Sequence, residues 1–368
     1  MKLLVLPRAS NPYQRLLYTN PAMDQVEVNY FDPPTKYLAP LAAPVVIAKM
    51  VRARLHGTRL AHMHWLYFLE LPAIRPFGPV LQWISFVQTM TVLWTMHALG
   101  IRLVWTAHNI VAHESQNGYG ERIARYTAKL ACGIIVHSAQ AVKQLAEIGV
   151  RAPKKIQIIP HGNYDGVYPP MLSRAAARKE FGFKPGETVI LFFGLIRKYK
   201  GVEDLLKAFA KLEQPTVRLL IAGDCQDAGL ARTISDFAQK YPKQVTFVNQ
   251  SVPEKDVAMY FHAADITCAP FKNLTTSGSV ILAATFGKPI VTPRIGAIKE
   301  IPETAGVLYD PHKKDALLGA LQTVLASSKR RVTMGKASRA YADGLSWDLI
   351  SAKTYALYLK ALAFKVKS

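Results

Sequence analysis

The sequence predicts an α/β protein made of two doubly wound domains in tandem, with a cleft between them. Three observations predict it. Apolar runs of strand length alternate with helical patterns along the chain. The alternation is interrupted around Pro169 and Pro170 and then restarts. Several runs end in loops of Gly, His, Asn and Pro, at the kind of edge where open parallel sheets bind ligands. A length of 368 residues suits two domains of ordinary size.

In the first half, residues 2–6 form a buried strand and 7–13 the loop after it. Asn11, Pro12 and Tyr13 lead into a helix at 14–18, and a second strand covers 26–31. Residues 41–55, LAAPVVIAKMVRARL, place apolar side chains at helical spacing beside Lys49, Arg52 and Arg54. Such a helix can lie on an anionic membrane or pack with a solvated basic edge. A strand at 60–65 runs into HMHWLYF. His62 and His64 share one face of it, but no cysteine or carboxylate cluster stands near to complete a metal site. They read as core or pocket histidines.

Residues 76–100 are the most apolar stretch, long enough for a bilayer span of about 20 residues. Gln82, Gln88 and His97 interrupt it and favour a buried or interfacial helix. A strand at 102–106 opens the loop AHNIVAHE, which holds His108, Asn109, His113 and Glu114. A helix at 123–130, a strand at 133–137 and a helix at 139–147 follow. A strand at 156–159 stops at Pro160, His161, Gly162 and Asn163.

Residues 164–181 read as a connector with a short basic helix, so the first domain is 1–165 and the second 166–345. The second has strands at 189–193, 218–222, 245–248, 266–269, 289–292 and 306–309. Helical patterns follow Gly201 and cover 233–241, 252–260, 278–285, 314–326 and 329–345. A last helix at 347–365 is expected to cross back to the first domain.

The chain is 50% hydrophobic and 19% charged, yet its net charge is +21. A basic, partly apolar surface suits nucleoside diphosphates, anionic lipid headgroups or nucleic acid. Cys132, Cys225 and Cys268 are odd in number and form no CxxC pair, as expected of reduced thiols in a cytoplasm. MKLLVLP is too short for a signal-peptide core. Nucleic-acid signatures are missing: no helix-turn-helix, zinc spacing or aromatic ribonucleoprotein motif. No GxGxxG follows the first strand, which disfavours hydride transfer.

Two stretches carry chemistry. In FFGLIRKYKG a strand stops at Gly194 and delivers Arg197 and Lys200 to the mouth of a helix after Gly201. The glycine admits close backbone, and the cations and helix amino end offset negative charge. In NLTTSGSVILAATFGKP, Thr275, Thr276 and Ser277 precede a helix opening at Gly278. Hydroxyls and free amides at a helix start can bind the phosphates of a nucleotide, although Ser277 alone makes an ordinary cap.

FGLIRKYKGVEDLLKAF, LLIAGDC and APFKNLTTSGSVILAATFGKPIVTPRIGAIKEI resemble the donor domain of the GT-B nucleotide-sugar glycosyltransferases. The resemblance is closest to glycosyltransferase family 4 and its relatives in exopolysaccharide and capsule synthesis. NPYQRLLY, HMHWLYF and WTAHNIVAHE are similar to the acceptor domain of that group. The resemblance implies donor contacts from Gly194, Arg197, Lys200, Thr276, Ser277, Gly278, Ser279 and Glu300. It implies acceptor contacts from Asn11, Tyr13, His64, Trp65 and His161, and a place near the donor sugar for His108. Two glutamates that the family places eight apart align with Leu274 and Leu282, so retention and inversion both stay open. His113 and Glu114 are then candidates for a base.

The implied reaction is sugar transfer from a UDP-, GDP- or other nucleoside-diphosphate sugar to a saccharide acceptor, expected to be polyprenyl-diphosphate-linked. No cofactor or metal is expected, because cations and amides offset the leaving diphosphate. Expected partners are the donor, the acceptor and an anionic membrane surface, with no nucleic acid. The expected location is cytoplasmic, peripheral to the inner face of the membrane. A sugar-nucleotide epimerase of the same fold is the alternative.

Overall fold

The computed structural model describes residues 1–9, 11–31, 42–66, 69, 71, 78–108, 119–169, 172–272 and 278–363. The chain forms two compact units, Met1–Pro160 with the terminal helix Trp347–Ala363, and His161–Ser346.

The first unit is a six-stranded parallel sheet: β1 (Lys2–Leu6), β2 (Glu27–Tyr30), β3 (Leu60–Met63), β4 (Arg102–Thr106), β5 (Gly133–Val136) and β6 (Ile156–Ile158). The order is β2-β1-β3-β4-β5-β6, so the direction of winding switches between β1 and β3. The central strands are apolar on both faces because helices cover both. Leu4, Leu6, Met63 and Trp105 enter one core, under α2 (Ala42–Leu55), α3 (Gly78–Ala98), α4 (Tyr119–Leu130) and α5 (Ala139–Glu147). Leu3, Val5 and Val104 point to the other face. There α1 (Pro12–Tyr18) and the terminal helix supply Leu17, Trp347, Ile350 and Tyr358. Gly133 makes room for that helix: a β-carbon there would lie 2.8 Å from Leu357 Cδ1.

The second unit has strands β7 (Thr188–Phe193), β8 (Val217–Ala222), β9 (Val245–Val248), β10 (Ile266–Cys268), β11 (Ile290–Pro293) and β12 (Gly306–Tyr309). Its order is β12-β11-β10-β7-β8-β9, with the switch between β10 and β7. Its helices are α6 (Arg174–Glu180), α7 (Val202–Ala210), α8 (Ala228–Lys240), α9 (Val257–Ala263), α10 (Gly278–Thr285), α11 (Ala316–Leu325) and α12 (Ser328–Asp343).

Several expected limits move, for local reasons. The unit boundary falls at His161 rather than residue 166. Asn163 is the cause: its amide and side chain donate to Leu345 O (3.0 Å) and Ala342 O (2.9 Å), and Tyr164 N donates to Thr285 Oγ1 (3.1 Å). These bonds fasten 161–165 to the second unit. Helix α1 begins at Pro12 because the Asn11 side chain accepts from Tyr13 N (3.1 Å) and caps it. Helix α8 begins five residues early, capped by Asp227, whose Oδ1 accepts from Leu230 N (3.0 Å). Helix α9 begins at Val257, because Pro253 starts a separate 3-10 turn over Glu254–Asp256. Strands β3 and β5 stop at Met63 and Val136, which leaves His64, Trp65 and His137 just past strand ends.

Candidate active site

In the second unit the sequence signals converge at the switch between β7 and β10. Glycines let backbone meet backbone there. A β-carbon on Gly223, after β8, would lie 2.1 Å from the carbonyl oxygen of Gly194. One on Gly201 would lie 1.9 Å from the carbonyl oxygen of Pro270, just beyond β10. Gly194 and Gly201 hold φ of 106° and 71°, in the left-handed region that favours glycine.

This packing folds Lys200 back over the end of β7, with Nζ 3.5 Å from where a Gly194 β-carbon would stand. Burial, and then the neighbouring Arg197 guanidinium, lower the Lys200 pKa to about 8. Among the described residues no carboxylate pairs with it. Asp227 pairs with Lys198 (3.1 Å) and Asp204 with Lys272 (3.4 Å). Arg197 is half-buried and donates to Gln226 Oε1 (3.0 Å). The result is a half-buried cation beside a second cation, at the carboxyl edge of a parallel sheet.

The remaining donor candidates scatter around this edge. Gly278 opens α10, and a side chain there would strike the Tyr164 hydroxyl at 2.7 Å. Ser279 is half-buried in the first turn of that helix. Glu300 ends the 3-10 turn Gly296–Glu300, and its charge helps burial raise the Tyr341 pKa to about 12. Thr276 and Ser277, and the base candidates His113 and Glu114, lie outside the described residues.

In the first unit, α1, β3, β4, β5 and the terminal helix build a buried hydrogen-bonded chain. His137 Nδ1 meets Ile159 O at 2.9 Å, and His137 Nε2 meets His108 Nδ1 at 3.1 Å. His108 Nε2 meets His64 Nδ1 at 3.1 Å, and His64 Nε2 meets the Tyr18 hydroxyl at 2.9 Å. His62 joins through Nδ1 to Tyr18 (2.7 Å) and Tyr358 (2.6 Å), and through Nε2 to Thr106 Oγ1 (2.7 Å). Trp65 stacks on His108 with centroids 4.8 Å apart, and Tyr13 meets His108 edge-on at 4.7 Å. Burial lowers the His62 pKa to about 3 and that of His64 well below its usual value, with neighbouring histidines adding to both shifts. Both imidazoles are therefore neutral.

Tyr13, His64, Trp65 and His108 are thus brought together. Asn11 is a helix cap. His161 belongs to the second unit, not with the other acceptor candidates, and its Nδ1 meets Gly162 O at 2.8 Å. Sequence reasoning read His62 as a core or pocket histidine and missed His137, Thr106, Tyr18 and Tyr358 as members of the cluster. The two-residue spacing of His62 and His64, and a histidine at the end of β5, were the available signals. Nothing near Tyr358 in the sequence marks a hydroxyl that reaches His62 across 296 residues. Among the described residues no group of three or more His, Cys, Asp or Glu side chains is arranged to hold a metal ion.

Residues 173–341 match the model of the family described as glycosyl transferases group 1. The D-inositol 3-phosphate glycosyltransferase of Segniliparus rotundus is 28% identical over 292 residues, which cover 72% of this chain and 62% of that protein. The protein of the same name from Corynebacterium aurimucosum is 26% identical over 286 residues, covering 72% and 68%. The chain therefore spans a little under two thirds of the first relative's length. Among solved structures, sucrose-phosphate synthase from Thermosynechococcus elongatus superposes with a TM-score of 0.78 at 22% identity, over 98% of this chain and 99% of that one. HepE from Anabaena, solved with UDP-glucose, gives 0.74 at 17% identity, over 98% and 100%. Residues 173–341 thus resemble the glycosyl transferases group 1 family, and the chain as a whole has the fold of the two-domain GT-B glycosyltransferases.

Proposed function

We propose that the chain transfers a sugar from a nucleoside-diphosphate sugar, held by the second unit, to a saccharide acceptor recognised by the first. The observation that carries this reading is Lys200, a half-buried cation that has Arg197 beside it and that itself pairs with no carboxylate among the described residues. A buried charge is costly until an anion pairs with it. A diphosphate supplies that anion, and its charge grows as the glycosidic bond breaks. In this reading the two side chains, rather than a metal, offset the leaving group. Lys200→Ala should lower turnover by roughly 10²-fold, the effect of losing one charge-stabilising donor. Activity near wild type would remove the assignment. Release of nucleoside diphosphate only when acceptor is present separates transfer from epimerisation.

We further propose that the acceptor is polyprenyl-diphosphate-linked, as in exopolysaccharide or capsule synthesis, and that the first unit meets it at an anionic membrane from the cytoplasmic side. Two exposed apolar stripes support this. Pro44, Ala48, Val51 and Leu55 line one face of α2, and Val80, Trp83, Val87 and Trp94 line one face of α3. Arg54 Nε donates to Leu99 O (2.8 Å) and Ala43 N to Gln88 Oε1 (3.0 Å), which ties the two helices together. Leu55 is 81% and Trp94 62% exposed, with Lys49, Arg52 and Arg59 exposed close by in sequence. Apolar stripes beside cations suit an anionic leaflet. Among the described residues no helix is long and apolar enough to cross a membrane. Flotation with anionic liposomes at low salt tests the attachment; protein left in solution defeats it.

The relatives named for D-inositol 3-phosphate favour a second reading, in which the acceptor is a small phosphorylated polyol. An acceptor panel containing inositol 3-phosphate and short polyprenyl-diphosphate sugars decides between the two.

A further inference from the structure

The histidine chain has a polarity that one atom sets. The Ile159 carbonyl oxygen can only accept, so His137 carries its proton on Nδ1. In a neutral imidazole the other nitrogen then accepts, so His137 Nε2 takes a proton from His108 Nδ1. His108 Nε2 is left with a lone pair, which His64 Nδ1 fills, and His64 Nε2 in turn accepts from Tyr18. His62 fits the same ordering. Its Nε2 accepts from Thr106 Oγ1 and its Nδ1 donates to a tyrosine oxygen. In this arrangement each of these donors finds an acceptor. An added proton on His137 Nε2 or His108 Nε2 would set two N–H groups against each other.

We infer that His137 is a positioning residue: by holding His108 as the Nδ1–H tautomer, it makes His108 Nε2 the acceptor for a substrate hydroxyl. This rests on the proposed function for its substrate, but the tautomer can be tested without it. His108 is the second residue after β4, at the carboxyl edge of the sheet and near the switch between β1 and β3. Trp65 stacked on its ring and Tyr13 against it restrict rotation. His64 occupies the lone pair in the free protein, and a hydroxyl entering at that edge replaces it. The arrangement follows the logic of a base held by an orienting partner, which is held by a third group. Here the partner is a neutral imidazole and the third group a main-chain carbonyl. Because the chain is neutral, it orients His108 without adding charge at that edge of the sheet.

The test uses the full chain labelled with nitrogen-15 in histidine. Long-range proton–nitrogen spectra report which ring nitrogen is protonated, and each signal is identified by its loss in a single variant. In the wild type His108 is expected to be protonated at Nδ1. His137→Leu removes the acceptor and should give mixed or Nε2-protonated His108, with kcat lower by roughly 10- to 100-fold and donor KM little changed. His137→Gln returns an acceptor oxygen to the place of Nε2. It should restore the Nδ1–H signal and most of kcat, which a loss of packing alone would not explain. His108 protonated at Nε2 in the wild type, or unchanged in His137→Leu, overturns the inference. Tautomers as expected, with no transfer from any nucleotide sugar, would leave the positioning intact and place the fault in the reaction assigned.

Discussion

Lys200 and Gly194 form one unit: the lysine Nζ stands 3.5 Å from the space a β-carbon at Gly194 would enter. The lysine lies against the end of β7, where the residue has no side chain and takes a φ of 106°. Gly194→Ala would strain the backbone by about 1–3 kcal/mol and bring a methyl group into contact with the ammonium. We expect weaker donor binding, read as a several-fold rise in KM for the nucleotide sugar, together with a lower Tm.

Gly201→Ala should do more harm. Its β-carbon would fall 1.9 Å from the Pro270 carbonyl oxygen, at a φ of 71°. Backbone cannot yield as a flexible side chain can. A loss of about 3 kcal/mol or more is expected, seen as a Tm lower by roughly 10 °C. A Tm unchanged within a degree would show that α7 and Pro270 are not packed as described.

The Lys200 pKa of about 8 has a pH signature. Its value in the unfolded chain is near 10.5, so between pH 8 and 10.5 the unfolded state binds more protons than the folded one. Stability from this group therefore rises with pH across that window. A bound diphosphate favours the charged lysine and reverses the shift. Calorimetry of UDP binding at pH 8.5 in buffers of different ionisation enthalpy should show net proton uptake, and Lys200→Met should abolish it.

The first unit should weaken in acid. His62 is fully buried with its pKa lowered to about 3 by burial, while its unfolded value is near 6.5. The unfolded state thus takes up the proton first. Stability falls as pH drops below 6.5, by at most about 1.4 kcal/mol per pH unit for each such histidine. Urea unfolding between pH 7 and pH 4 measures the slope, and His62→Phe should reduce it.

The stripe on α3 gives a further test. Trp83→Ser with Trp94→Ser removes two exposed indoles that are 54% and 62% accessible. Stability should hold within about 0.5 kcal/mol, as for surface changes, while liposome attachment falls.

Much of the fold is legible in the sequence because buried parallel strands are short apolar runs, and Val189–Phe193 or Arg102–Thr106 can hardly be anything else. Gly194, Arg197 and Lys200 are legible because they stand close together in the chain, at the end of one apolar run. The histidine chain is not. Its members come from four strand ends and two helices, and the Tyr358 hydroxyl arrives from the far end of the sequence. Long-range hydrogen bonds leave no periodicity. The boundary at His161 was hidden for a related reason, since it depends on Asn163 bonding to carbonyls at Ala342 and Leu345.

The account turns on whether Lys200 binds a diphosphate. Thermal unfolding with and without millimolar UDP, GDP and ADP, on the wild type and on Lys200→Met, measures this most directly. We predict that at least one nucleotide raises the Tm of the wild type and that the gain is largely lost in the variant. An equal gain in both proteins, or none in the wild type, would contradict the account.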